Sequence, residues 1–210
     1  SARWKQVSSP FDPAKAVFCV PAMAAEPSDR KGHTSELIRM IPDLIHSDDG
    51  VLLLFTSREQ MHDVVDGLQG MIDHHILVQG SVNKTILIEK HRDYVDQGEA
   101  SAIFGLASFF EGIDLPGEYC DHVLISKIPF SVPGDPIAEA YSELLEAQGR
   151  DPFMEISVSD AAQKLVQASG RLLRRENDEG RITLFDKRLL TRRYGRAILE
   201  TLPGFTLKLN

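Results

Sequence analysis

Short apolar runs rich in β-branched and aromatic residues recur along the chain, with amphipathic stretches between them. The runs Ala16 to Val20, Val51 to Phe55, His75 to Val78, Ala102 to Leu106, His122 to Ile125 and Arg181 to Phe185 read as strands. Apolar spacing and flanking Gly, Pro or Ser/Asp signals place helices over Ser35 to His46, Arg58 to Leu68, Lys84 to Gln97, Pro136 to Gln148, Asp160 to Arg174 and Thr191 to Thr201. Strands that alternate with helices predict a mostly parallel sheet with helices on both faces. The expectation is one α/β domain over residues 1–210, without internal repeats.

With 42% hydrophobic and 26% charged residues in 210, the chain can bury one sizeable core. No run of eighteen apolar residues occurs, and Ser1-Ala2-Arg3-Trp4-Lys5 lacks the layout of a secretory signal, so a cytoplasmic protein with no membrane partner is expected. Cys19 and Cys120 are the only cysteines and stand far apart, which offers no CxxC pair and no metal or iron–sulfur spacing. Both are expected as inert buried thiols. His74-His75 lacks a third ligand at metal-site spacing, so no metal site is predicted; His62 and His91 are expected on solvated helix faces.

A net charge of −8 counts against a nucleic-acid partner, because phosphate binding rests on Lys and Arg. The distribution counts for more than the sum. Between Gln163 and Arg196 stand ten Lys/Arg against four Asp/Glu, a local +6 that leaves −14 to the remainder. Charge alone leaves open an anion-binding surface or a pair of solvated helix faces. Two segments fit the alternation poorly: Ala22 to Gly32 reads as a surface loop, and Pro129 to Pro136 is too proline-rich for a regular element. The latter follows directly on a strand, and in open α/β sheets the loops beyond the carboxyl ends carry the ligand sites.

Placed on a helix, Asp160, Gln163, Gln167, Gly170, Arg171 and Arg174 share one polar stripe opposite Ala161, Leu165, Ala168, Leu172 and Leu173, with Ser159 or Asp160 to cap its start. A glycine inside a helix costs about 1 kcal/mol against alanine, so Gly170 marks a place where something approaches the backbone. Around it, Gln167, Arg171 and Arg174 suit a polyphosphate: guanidinium forks neutralise its oxygens and the amide orients water or an oxygen. An exposed helix whose arginines pair with Glu176, Asp178 and Glu179 explains the same residues. Glu111-Gly112-Ile113-Asp114 puts two carboxylates near a sheet edge, or is a plain turn. Thr56 and Ser57 end one strand and open a helix, a natural phosphate site that N-capping explains equally well. Gln79-Gly80, Lys127 and Phe130 follow other strands; a simple turn and a satellite core position account for Gln79-Gly80 and Phe130 as well.

Q-x-x-G-R-x-x-R resembles motif VI of superfamily 2 helicases. Gln167-Ala168-Ser169-Gly170-Arg171-Leu172-Leu173-Arg174, with the later I-T-L-F-D-K-R, is similar to the DinG branch of the XPD-like helicases. Phe109 to Gly117 resembles the family's motif V and Leu54-Phe55-Thr56-Ser57 its motif IV; Ser9-Pro10-Phe11-Asp12 and Asp186 to Leu190 resemble the segments that open and close its second motor domain. The resemblance implies a RecA-like three-layer sandwich. It implies catalytic roles for Arg174, Arg171 and Gln167, and nucleotide-side roles for Glu111, Gly112, Asp114 and Gly170. Gly112 is expected to permit close backbone approach, and Asp114 to position the ribose or the arginines. Contacts to single-stranded DNA fall to Thr56, Ser57, Gln79, Gly80, Lys127 and Phe130. The family often carries an aromatic where Arg58 stands, which puts base stacking there in doubt.

Nowhere does G-x-x-x-x-G-K-[ST] occur; Gly80-Ser81-Val82-Asn83-Lys84-Thr85 lacks the second glycine, and no D-E-x-H box follows a strand. The chain is therefore expected to supply half of a site, as a fragment of a larger protein. ATP and Mg²⁺ are shared with a preceding first RecA-like domain, the intramolecular partner. The resemblance also implies a monomeric 5′-to-3′ motor in DNA repair or replication, with an iron–sulfur cluster in that first domain. The alternatives are a DinG-like nuclease and a non-motor module that binds a nucleotide or a partner.

Overall fold

The computed structural model describes residues 12–46, 50–110, 112–131, 136–170, 172 and 179–209. Among them, seven strands form one sheet: β1 (Ala16–Val20), β2 (Gly50–Phe55), β3 (His75–Val78), β4 (Ser101–Leu106), β5 (His122–Ile125), β6 (Gly180–Leu184) and β7 (Thr206–Leu209). They lie in the order β3-β4-β2-β5-β6-β1-β7, and every neighbouring pair is parallel. The helices are α1 (Arg30–Leu44), α2 (Arg58–Leu68), α3 (Lys84–Asp96), α4 (Pro136–Ala147), α5 (Ser159–Ser169), α6 (Arg188–Thr191) and α7 (Arg193–Thr201). None of the described helices is long and apolar enough to cross a membrane.

Strand alternation builds the layers. Val51, Leu53 and Phe55 of β2 pack with Leu37 and Ile41 of α1 and with Met61 and Leu68 of α2. The intervening Leu52 and Leu54 belong to the other core, with Leu87 of α3, Ala161 and Leu165 of α5 and Ile198 of α7. Successive strand side chains point to opposite faces, so both faces of the sheet are covered and the fold is the expected three-layer α/β sandwich of RecA-like type. Each fully buried Leu or Phe contributes roughly 1.5–3 kcal/mol of transfer free energy.

The local expectations hold for most elements and fail at identifiable places. β1, β3, β5 and α2 have the predicted limits. α1 begins at Arg30 rather than Ser35, because the Asp29 side chain accepts from Gly32 N and caps the helix inside the expected loop. α5 ends at Ser169 rather than Arg174 and continues directly from a π-helical stretch, Phe153–Val158. Its start therefore has no side-chain cap. Asp160 instead accepts hydrogen bonds from Ser131 Oγ and Lys164 Nζ. β7 was not expected: it is an edge strand whose Leu207 and Leu209 remain largely exposed, so it lacks a buried face to betray it. His91 is buried, not solvated; its Nδ1 accepts from Ser101 Oγ and its Nε2–H donates to Tyr119 O, each at 2.8 Å. Cys120 is buried and Cys19 half-buried, with burial raising the Cys19 thiol pKa.

Candidate functional site

A parallel sheet has two unlike edges, and each connection between its strands must return from the carboxyl edge to the amino edge. The candidate residues divide accordingly. Thr56 and Ser57 follow β2, Gln79 and Gly80 follow β3, and Lys127 and Phe130 follow β5, so all six stand at the carboxyl edge. α5 precedes β6, which brings Gln167 and Gly170 toward the amino edge. There Leu172 lies against Gly180, the first residue of β6, while Asp121 O accepts from Arg181 N.

At the carboxyl edge Ser57 caps α2, its Oγ accepting from Gln60 N at 3.3 Å, and Thr56 is exposed beside it. Capping thus uses the Ser57 oxygen and leaves the Thr56 hydroxyl facing solvent. Gln79 N donates to Phe104 O and its side-chain Oε1 accepts from Leu106 N, each at 2.8 Å, so the side chain prolongs the β3–β4 ladder by one rung. Gly80 turns the chain with φ +94°, a left-handed conformation that favours glycine. A Cβ on Gly80 would lie 3.9 Å from Arg58 Nη1, which brings the turns after β2 and β3 together across β4. Arg58 thus adds a cation beside this turn.

The ends of β5 and β6 hold polar groups that sequence reasoning did not single out. Asp186 is fully buried; its Oδ2 accepts from Ile128 N at 2.9 Å and from Arg188 Nη2 at 2.7 Å. His33, also fully buried, donates from Nε2 to Phe185 O at 2.8 Å and accepts at Nδ1 from Gln60 Nε2 at 2.9 Å, so α1, α2 and the end of β6 meet through one imidazole. Burial lowers its pKa, opposed by the Phe185 bond and Asp186 and aided by Lys127 and Arg188. These residues look unremarkable in sequence because their partners lie up to 152 positions away. Lys127 is half-buried beside them and has no hydrogen-bond or ion-pair partner among the described residues. Burial lowers its pKa, as do Arg188 and Arg30, against the pull of Asp186. Phe130 forms a three-ring cluster with Phe153 and Tyr194, at centroid distances of 5.4–5.5 Å, and carries the Arg188 guanidinium 5.8 Å from its ring. That placement matches a satellite core position.

Residues 107–121 return from β4 to β5. Gly112 has φ +72°, a left-handed conformation that favours glycine, and open space where a Cβ would stand. Ile113 and Leu115 are buried on either side of the exposed Asp114. Glu111 lies outside the described residues, as do Arg171 and Arg174. On α5 the described part of the polar stripe has the expected sides: Gln163, Gln167 and Gly170 are exposed, and Ala161 and Leu165 are buried. Gly170 is not inside the helix but closes it in a right-handed conformation, with φ −67°. A Cβ there would stand 3.4 Å from Val166 O, within ordinary contact, so nothing in the packing of α5 demands glycine at this position.

The helicase C-terminal domain family matches residues 41–205. The chain is 42% identical over 98% of its length to the ATP-dependent DNA helicase DinG of Photobacterium profundum, covering 30% of that protein, and 35% identical over 97% to the ATP-dependent helicase DinG of Mycobacterium tuberculosis, again covering 30%. It thus spans about a third of the length of these relatives. Among solved structures, an XPD helicase superposes with TM-score 0.66 at 18% identity, over 93% of this chain and 35% of that one. The C-terminal domain of the DEAD-box protein Dbp5 does so with TM-score 0.54 at 13% identity, over 94% and 91%. Those two likenesses concern the fold. With the motifs in order along an all-parallel sheet, the chain belongs to the helicase C-terminal domain family.

Proposed function

We propose that the chain is the second motor domain of an ATP-dependent DNA helicase that moves 5′ to 3′ on single-stranded DNA. The observation that carries this reading is the division of the candidate residues between the two edges of one sheet. At the carboxyl edge, Thr56, Arg58, Gly80 and Lys127 offer a hydroxyl, cations and a tight turn to a phosphodiester backbone. Toward the amino edge, α5 presents Gln167 and Gly170 just ahead of Arg171 and Arg174. These arginines act as the trans-acting half of an ATP site whose phosphate-cradling loop belongs to a first motor domain. ATP binding closes the two domains and hydrolysis releases them, so the strand is drawn across the carboxyl edge.

Among the described residues no group of three His, Cys, Asp or Glu is placed to hold a metal ion. Nor do two cysteines fit a four-thiolate iron–sulfur cluster. Both groups are assigned to the first domain, within one polypeptide acting as a monomer in DNA repair or replication. The test uses the full-length protein on duplexes with either a 5′ or a 3′ single-stranded tail. ATP-dependent unwinding of the 5′-tailed substrate is expected; equal unwinding of both, or of neither, overturns the reading.

A further inference from the structure

Helix α3 lies alongside the 107–121 connection, and four of its side chains bond to it. Lys84 Nζ donates to Phe109 O at 2.6 Å, Arg92 Nη2 to Asp114 O at 2.6 Å and His91 Nε2–H to Tyr119 O at 2.8 Å, while Asp96 Oδ1 accepts from Tyr119 Oη at 2.6 Å. Lys84 Nζ also stands 5.1 Å from the Phe109 ring centroid, and the Arg92 guanidinium 5.7 Å from that of Tyr119. We propose that Lys84 and Arg92 are positioning residues that make α3 a strut, coupling the DNA-facing carboxyl edge to the nucleotide-facing end of α5. The inference rests on the function proposed above.

The connection has little regular structure, although Ile113, Leu115 and Cys120 anchor it in the core. Its regular structure is two short 3₁₀ turns, Ala107–Phe110 and Gly117–Tyr119, between which the left-handed Gly112 and the exposed Asp114 lie. Three of the four bonds from α3 end on backbone carbonyls, so they set where the chain runs whatever side chains it carries. They are spread from the first turn of α3 to its last residue, about 18 Å at 1.5 Å per residue, which is the whole traverse from one sheet edge to the other.

Both ends of the strut meet candidate residues. Lys84 follows the Gly80–Asn83 turn at once, so a displacement of Gln79-Gly80 by a bound strand moves the first turn of α3 and, through Lys84, Phe109. At the other end, Tyr119 and Glu118 pack against Gly50, Asp121 N donates to Gly50 O, and Asp121 O accepts from Arg181 N beside Leu172 and Gly180. The path therefore ends where α5 delivers Gln167 and Gly170. Lys84, set in a sequence that imitates a phosphate loop without its second glycine, thus acts on a backbone carbonyl rather than on a nucleotide.

The test is ATP turnover by the full-length protein as a function of single-stranded DNA concentration, with Lys84→Met and Arg92→Met against Lys84→Arg and Arg92→Lys. The expected result is that the methionine variants lose at least tenfold in kcat at saturating DNA, while the DNA concentration for half-maximal stimulation moves less than threefold. The conservative variants, which keep a charged donor, recover kcat to within threefold of wild type. Hydrogen exchange supplies the second readout: DNA is expected to alter exchange across 107–121 in the wild type and to lose that effect in the methionine variants. Should a methionine variant not fold, Lys84→Gln or Arg92→Gln replaces it under the same criteria. Variants with kcat within twofold of wild type overturn the strut alone. A wild-type protein without DNA-stimulated turnover overturns the helicase reading and the strut with it.

Discussion

Arg188 grips Asp186 along one edge of its guanidinium, with Nε donating to Oδ1 at 2.9 Å and Nη2 to Oδ2 at 2.7 Å. The carboxylate is fully buried and also accepts from Ile128 N and from Arg188 N, so it ties the loop after β5 to the end of β6. Removing one partner of such a pair leaves an uncompensated charge in a dry site, which typically destabilises by about 3–5 kcal/mol. Arg188→Ala is expected to lose that order of stability in urea denaturation. Replacing both residues, as Asp186→Asn with Arg188→Met, should recover part of it. A single-variant loss below about 1 kcal/mol, the range of exposed pairs, would contradict the role given to this pair.

His122 gives the domain an acid limit. Burial, followed by the charges of Arg181 and His46, lowers its pKa from 6.5 to about 3, and its buried Nδ1 has no partner to receive a proton's hydrogen bond. Between those two values the unfolded chain binds more protons than the folded one, so stability falls as the pH is lowered from about 6.5 toward 3, by up to about 1.4 kcal/mol per pH unit. Above about pH 8 the ring contributes almost no slope. Urea denaturation at pH 7, 6 and 5 is expected to show a shallower decline for His122→Gln than for wild type. Parallel declines would remove His122 as the source; His33 and His91, also lowered chiefly by burial, act in the same direction.

Gly170→Ala separates folding from function. A methyl group there meets Val166 O at 3.4 Å, and the backbone is right-handed, so the fold should accept it, with stability unchanged or raised by up to about 1 kcal/mol. If a nucleotide approaches this backbone, ATP turnover by the full-length variant should fall at least tenfold while its thermal midpoint stays level. Full turnover in the variant would assign the glycine to neither packing nor nucleotide.

Arg174→Ala in the full-length protein is expected to reduce DNA-stimulated ATP hydrolysis by roughly 10³-fold or more, as loss of an arginine finger does. Binding of a fluorescent nucleotide analogue should change little if, as proposed, the phosphate-cradling groups belong to a first motor domain. The measurement pairs steady-state turnover with equilibrium binding; near-wild-type turnover would dismiss the assignment.

The elements with a buried face were legible in the sequence, and those without one were not. Val51 to Phe55 form one continuous apolar run because β2 is buried on both faces, and Met61, Val64, Val65 and Leu68 repeat at helical spacing because α2 covers one of those faces. β7 has no such face, and the early start of α1 hides behind Asp29, a capping residue inside a charged stretch. Gln167 could be singled out in the sequence because its neighbours form a pattern along one helix. His33, Gln60, Asp186 and Arg188 were missed as a group because they make a cluster only when α1, α2 and the ends of β5 and β6 converge. Gly112 and Gly170 were both noticed as glycines, but only the dihedral angles show that Gly112 is left-handed and that Gly170 ends α5 instead of lying inside it.

From the sequence alone follow the alternation of strands and helices, the parallel three-layer architecture and the family, because each rests on patterns repeated within a few residues or on short motifs in fixed order. The tertiary structure decided which residues stand together: Arg58 with Gly80 across β4 at one edge, Gln167 and Gly170 toward the other, and α3 fastened to the connection between them. Periodicity records which side of an element is buried. It carries no information about which distant element does the burying, since strand order and the contacts of crossovers are set by packing between segments far apart in the chain.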